Sequence, residues 1–238
     1  MDGFSYSNIF ETKGIEYLAI ITFFAILIPF WLILNKQVKR KRVQKLIGTL
    51  SPGILKIPQG LFFSNNHTWT HLERSGMAKV GLDDLLTHIT GEVNVINHAK
   101  PGDVISKGDL LAEIDHNGKH LRIYSPVSGE VDCANSLLQD EPEILNEDPF
   151  RKGWIYQIKP SDWMRETKSY YLAENATKWM SGELVRFKDF VVNSPAANPI
   201  GTTGIILQDG GELRDNTLAE MPDAIWNDFQ KNFLNRVD

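Results

Sequence analysis

Four side chains able to do chemistry fall within six positions: Asp115, His116, Lys119 and His120, around an Asn117-Gly118 pair. Imidazoles and a carboxylate are metal ligands, and two histidines four apart would share a face on a helix. On a hairpin the same spacing does not bring them together, and no third ligand lies near in sequence. No metal site is expected. The other histidines, His67, His71, His88 and His98, are scattered, and Cys133 is the only cysteine. That excludes an internal disulfide and any thiolate cluster, and it fits a reducing compartment. No Gly-x-Ser-x-Gly, phosphate loop or Cys-x-x-Cys occurs. Asp83-Asp84 and the acidic stretch from Glu141 to Asp148 read as solvated surface. No catalytic residue is assigned, and the chain is read as a non-enzyme.

The element that positions the four side chains runs from Gly108 to Val131, GDLLAEIDHNGKHLRIYSPVSGEV. Asn-Gly between two β-rich runs is a strong hairpin signal, because a type I′ turn needs φ > 0 at both central positions. Folding about Asn117-Gly118 sets His116 against Lys119, Ile114 against Leu121, Ala112 against Ile123 and Leu111 against Tyr124. Apolar residues then meet at alternate steps, as one buried face requires.

The chain has 238 residues and a formal net charge of −5, so there is no overall basic footprint for nucleic acid. Tyr17 to Leu34 is uncharged and, at 1.5 Å per residue, is about 27 Å long as a helix, close to a bilayer core. Tyr17 and Trp31 lie near its ends, where aromatic rings favour the interface. The run is too long for a signal peptide, and it lacks a cationic start and a small-residue cleavage site. Lys36, Lys39, Arg40, Lys41, Arg42 and Lys45 follow it. The positive-inside rule then places the N-terminus outside and the rest in the cytoplasm. Lys39 to Leu50 reads as a short helix, ended by Ser51-Pro52-Gly53.

From Leu61 to Asp162 short β runs alternate with turns. The expected strands include Met77–Val80, Glu92–Ile96, Leu110–Ile114, Leu121–Tyr124 and Trp154–Ile158. Asp83 to Thr90 reads as a short helix and Pro142 to Asn146 as a helical turn. Ile89-Thr90-Gly91-Glu92-Val93 echoes Val127-Ser128-Gly129-Glu130-Val131, each a turn glycine followed by a strand. Two copies point to a sandwich with pseudo-twofold halves, although chance produces many echoes of five residues.

His67-Thr68-Trp69, Val80-Gly81, Gly91-Glu92-Val93, Pro101-Gly102 and Lys107-Gly108-Asp109 come in order, then Tyr124-Ser125-Pro126-Val127-Ser128-Gly129-Glu130-Val131, Pro142-Glu143-Ile144-Leu145-Asn146, Asp148-Pro149 and Gly153-Trp154-Ile155. In this order and spacing they resemble the H protein of the glycine cleavage system, a lipoyl carrier. The resemblance covers 61–162 and implies a mainly β, lipoyl-domain-like barrel-sandwich hybrid. It also implies that His67 and Trp69 pack at the start of the domain as structural residues. In that family a lysine at the hairpin tip bears lipoamide. Ungapped counting from either side puts that lysine's position on Gly118, with Asp115 matching the acidic residue three before it. Glycine presents no arm. Lys119, one step along, is the remaining candidate for lipoylation, weighed against a solvated strand lysine.

Beyond Asp162, helix is expected from Trp163 to about Asn193, with Tyr171, Leu172, Trp179, Leu184, Phe187, Phe190 and Val191 at helical spacing and Gly182 as a candidate break. Residues 194–204 read as a loop and 204–211 as a strand and turn; Pro222 opens a last helix with Ile225, Trp226, Phe229 and Phe233 on one face. These aromatic stripes are expected to dock on a partner more than on the chain's own domain.

The expected organisation is therefore an extracytoplasmic 1–14, a transmembrane helix 15–35, a basic linker 36–60, an H-protein-like β domain 61–162 and a mostly helical extension 163–238. Expected partners are membrane lipid, through 15–35 and the flank Lys36–Lys45, and other protein subunits, through the β domain and the extension. The location is a bacterial-type cytoplasmic membrane, with the main domain cytoplasmic. The function read from this is an unlipoylated accessory or scaffold subunit of a larger membrane complex, by analogy a respiratory or redox one, with no cofactor. The rival is a carrier with lipoate on Lys119, shuttling equivalents to membrane-bound enzymes.

Overall fold

The computed structural model describes residues 9–35, 49–193, 207–208 and 212–235. The chain divides into two compact units, 1–46 and 47–238. The described residues of the first form one helix, α1 (Ile9–Asn35), with Pro29 inside it. Its described side chains, residue 14 and residues 16–31, are all exposed. Thr22 Oγ1 donates to Leu18 O at 2.8 Å, which satisfies its hydroxyl within the apolar run. Among the described residues no helix is long and apolar enough to cross a membrane. The basic flank 36–45 lies outside the described residues.

The second unit is built on two antiparallel sheets. The larger has six strands in the order β2 (Phe62–Phe63), β3 (Thr68–Leu72), β4 (Ala78–Leu82), β10 (Trp154–Pro160), β9 (Gly129–Ala134) and β6 (Val104–Ile105). The smaller has the order β5 (Asn94–Asn97), β7 (Leu110–His116) and β8 (Lys119–Tyr124). The expected strands are all present, with ends moved by up to two residues. Their alternate apolar residues form one core, with Val80, Leu82, Ile114, Leu121, Ile123, Val131, Tyr156 and Ile158 buried.

Helix α2 (Asp84–Thr90) begins where expected, because the Asp83 carboxylate accepts from Leu86 N at 2.9 Å as its N-cap. It ends at Gly91, with φ of 66°. Gly129 answers a different need, since a Cβ there would lie 2.2 Å from Lys159 O on the neighbouring strand. The two glycines of the sequence echo therefore meet different requirements, a helix end and a close strand contact. The turns α3 (Leu137–Asp140) and α4 (Ile144–Glu147) follow β9.

Residues 49–60, expected as linker, belong to the compact unit. Thr49 and Leu50 form strand β1, not the end of a helix, and pair with Arg214 and Leu213 of β12 (Glu212–Arg214). Leu50 and Leu55 are buried, and Lys56 N donates to Asp84 Oδ2 at 2.8 Å. Residues 39–48 of the expected helix lie outside the described residues.

In the extension, α5 (Trp163–Glu166) and a 3-10 turn (Thr167–Ser169) lead to α6 (Ala173–Asn193), which runs unbroken through Gly182. The loop 194–204 and most of the strand expected after it lie outside the described residues; Leu207–Gln208 forms β11, paired with β12. The last helix, α7 (Asp223–Phe229), continues as a π turn (Gln230–Leu234). The aromatic stripes are not left open for a partner, contrary to the expectation from their spacing. Phe187, Phe229 and Phe233 are buried. Their rings and that of Phe190 pack on one another, with centroids 4.6–6.3 Å apart. The stripes of α6 and α7 thus cover each other and the β domain, which removes their apolar area from water without a second protein.

Candidate functional site: the hairpin tip

Strands β7 and β8 pair as the residue pattern requires: His116 opposite Lys119, Asp115 opposite His120, Ile114 opposite Leu121 and Ala112 opposite Ile123. One pair differs. Tyr124 faces Leu110, not Leu111, because the register shifts between Leu110 and Ala112. At the tip Asn117 has φ of 53° and Gly118 φ of 82°, the left-handed pair of a type I′ turn. The Asp115 carboxylate closes the turn by accepting from Gly118 N at 2.9 Å.

Side chains alternate across the hairpin, so His116 and Lys119 share the face that carries Ile114 and Leu121 into the core, while Asp115 and His120 take the other face. The two histidines therefore cannot share a ligand. His120 Nε2 lies 3.5 Å from Asp115 Oδ1. His116 Nδ1–H donates to Glu92 O at 2.6 Å, and its Nε2 accepts from Asn117 Nδ2 at 3.2 Å. That is the pattern of a neutral ring. Burial, and then the charge of Lys119, hold its pKa below the ordinary imidazole value. Among the described residues, no group of three or more His, Cys, Asp or Glu side chains is arranged to hold a metal ion.

Lys119 is half-buried. Its ammonium donates to Ala219 O at 2.5 Å and to Met221 O at 2.9 Å, and it lies 5.5 Å from the centre of the Trp226 ring. Trp226 also stacks on His116, with centroids 6.0 Å apart and planes 16° apart. On the edge of the same hairpin, Arg122 N donates to Gln230 Oε1 at 2.6 Å. The groups around Lys119 thus come from the C-terminal segment, a hundred residues away. Sequence reasoning missed Ala219, Met221, Trp226 and Gln230 as parts of this site. Only Trp226 left a trace, as a member of an apolar helix face.

Two further polar clusters tie that segment and α6 to the β domain. His67 is buried, and its Nδ1 lies 2.7 Å from Asp83 Oδ2, its Nε2 3.3 Å from Glu183 Oε2 on α6. Burial alone would lower its pKa, but the two carboxylates outweigh that and raise it to about 9. Glu183 in turn accepts from Arg186 Nε at 2.7 Å, and the Arg186 guanidinium lies 3.6 Å above the Phe233 ring. The structural role expected for His67 fits this placement; Trp69 is likewise buried. His88 Nδ1 lies 2.9 Å from Asp215 Oδ1, and its Nε2 lies 3.4 Å from Asp84 Oδ2. Its pKa also reaches about 9, as those two carboxylates outweigh burial.

A sequence model described as the glycine cleavage H-protein matches residues 61–183, more than half of the chain and past the boundary expected at 162. The probable glycine cleavage system H protein of Thermococcus gammatolerans is 35% identical over 128 residues, 54% of this chain and 95% of the relative. The H protein of Psychrobacter cryohalolentis is 34% identical over 106 residues, 44% of this chain and 84% of the relative. The crystal structure of an H protein from Mycobacterium marinum superposes with a TM-score of 0.46 at 20% identity, covering 53% of this chain and 99% of that one. With a mainly β fold and the family's pattern running from residue 61 into α6, this chain belongs to the glycine cleavage H-protein family.

Proposed function

We propose that this chain is a membrane-anchored, non-catalytic H-protein-like subunit that serves as scaffold or accessory of a larger membrane complex and bears no lipoyl arm. The observation that carries this reading is the state of the tip. Gly118, where the resemblance places the arm-bearing lysine, has no amine. Lys119 has its ammonium committed to Ala219 O and Met221 O. Formation of an amide on a lysine needs a side chain presented to the ligase, and an amine held on two carbonyls of the C-terminal segment is not so presented. The residues present do not fit a lipoyl group.

Anchoring rests on the uncharged run from Tyr17 to Leu34 and the cations from Lys36 to Lys45 after it, which favour an outside N-terminus and a cytoplasmic main domain. The exposed apolar side chains of α1, such as Ile21, Ile26 and Phe30, support it. Partner subunits would meet the uncovered surface of the β domain and of α6, where Val104 is 84% and Val185 55% exposed. That the complex is a respiratory or redox one rests on analogy of fold use. The rival reading, a carrier with lipoate on Lys119 serving membrane-bound enzymes, has family membership in its favour. It requires Lys119 to leave both carbonyls.

Purification of the tagged full chain from membranes in a mild detergent tests the proposal. The expected result is co-purification with other membrane subunits in fixed ratio. Recovery of the chain alone, or from the soluble fraction, would overturn it.

A further inference from the structure

We propose that the C-terminal segment, residues 212–235, is a built-in ligand of the β7–β8 hairpin that closes it to other proteins and makes Lys119 an anchor with an unreactive amine. This deepens the unlipoylated reading of the tip and rests on it.

Three separate contacts argue for it. The first is the clamp of Lys119 on Ala219 O and Met221 O. The second is Trp226, which is fully buried, stacks on His116 and is fixed by its own Nε1 donating to Leu218 O at 2.7 Å. The third lies on the sheet edge. β8 is the last strand in the order β5-β7-β8, so its outward backbone groups are open to a further strand. The Gln230 side chain occupies one such position, accepting from Arg122 N at 2.6 Å and donating to Arg122 O at 3.5 Å. An amide group thus stands where the backbone of an added strand would pair.

The segment is also seated independently of the hairpin. Asn216 N donates to His88 O at 2.8 Å and Leu218 N to Ile89 O at 2.9 Å, beside the His88–Asp215 pair. The cover therefore does not hang on Lys119 alone. The cover lies on the Lys119 face and the β8 edge; the turn stays open, since a Cβ at Gly118 would meet nothing within 4 Å, and His120 and Arg122 on the opposite face are exposed. A small reagent reaches the turn, but a protein that has to grip the hairpin by its Lys119 face or its β8 edge meets the cover.

The test uses the full chain with Gly118→Lys, treated in parallel with a small amine-acylating reagent and with a lipoate–protein ligase, and read by peptide mass spectrometry. With the small reagent, the amine introduced at position 118 should react as fast as exposed Lys100 and Lys168, and Lys119 at least tenfold more slowly. The ligase should leave the introduced amine unmodified while it modifies an H protein in the same tube. Adding Lys119→Ala, Trp226→Ala and Gln230→Ala together to Gly118→Lys, with or without Asp215→Ala at the second seat, removes the contacts that hold the segment on the hairpin and should restore ligation by loosening the cover. Ligation of the single variant at the rate of the H protein would overturn the proposal. So would Lys119 reacting as fast as Lys100, or ligation failing in the loosened variants as well. The ligation outcomes at position 118 leave the reading of the native chain intact, since its position 118 offers no amine, whereas a fast Lys119 would count against both and is told apart by whether Lys119 of the native chain carries a lipoyl group.

Discussion

An ammonium carries three donors and seeks acceptors wherever water is thinned out. Lys119 finds two of them on the carbonyls of Ala219 and Met221. Lys119→Met keeps the apolar stem and deletes the head, leaving both carbonyls short of a donor. It should lower unfolding free energy by about 1–2 kcal/mol, read as a lower urea midpoint. Gly118→Ala should cost about 1 kcal/mol, since φ of 82° is unfavourable for a side chain although space is open around it. The turn itself was legible from Asn117-Gly118, because only residues tolerant of positive φ suit both positions. The fate of Lys119 was not, because its partners lie 100 and 102 residues further on and no local pattern encodes such a contact.

At the scale of elements, α6 and the β domain are joined through His67, which sits between Asp83 and Glu183. Its folded pKa, about 9, is raised above the ordinary 6.5. Its contribution is therefore fully present below about 6.5 and fades as pH rises through about 9. His88 behaves alike, with the same raised value. Stability measured by urea should fall between pH 6.5 and 9. His67→Asn, which tolerates the residue's φ of 57°, should flatten part of that fall and leave the share of His88. An unchanged profile would show that His67 is not charged in the folded state. The apolar spacing of α6 and α7 revealed both helices and their buried faces. It did not reveal what covers them, since a stripe specifies a side and not a neighbour. Gly182 does not break α6 because a glycine in an exposed helix interior costs only about 1 kcal/mol, against a stripe of Met180, Leu184 and Phe187 that is fully buried.

For the whole molecule, the sequence showed the β domain well: hydrophobic alternation, punctuating glycines and the ordered motifs from His67 to Ile155 lie close together along the chain. The entry of residues 49–60 into the same unit was hidden, because β1 has two residues and pairs with a strand near the other end. The membrane reading depends on α1. The full chain should stay in the membrane fraction through high-salt and alkaline washing. Ile26→Arg, which adds about 2.5–3.5 kcal/mol to insertion at a helix centre, should shift chain into the soluble fraction. Release of the native chain by salt alone would instead indicate surface attachment by charge.

The central claim is that this member of a carrier family serves by shape, without an attached arm. Its most direct test is the intact mass of the full chain purified from cells that lipoylate their other H proteins, followed by the mass of the peptide containing Lys119. The expected result is the mass of the unmodified sequence, with Lys119 unmodified. A mass increase of one lipoyl group located on Lys119 would contradict it.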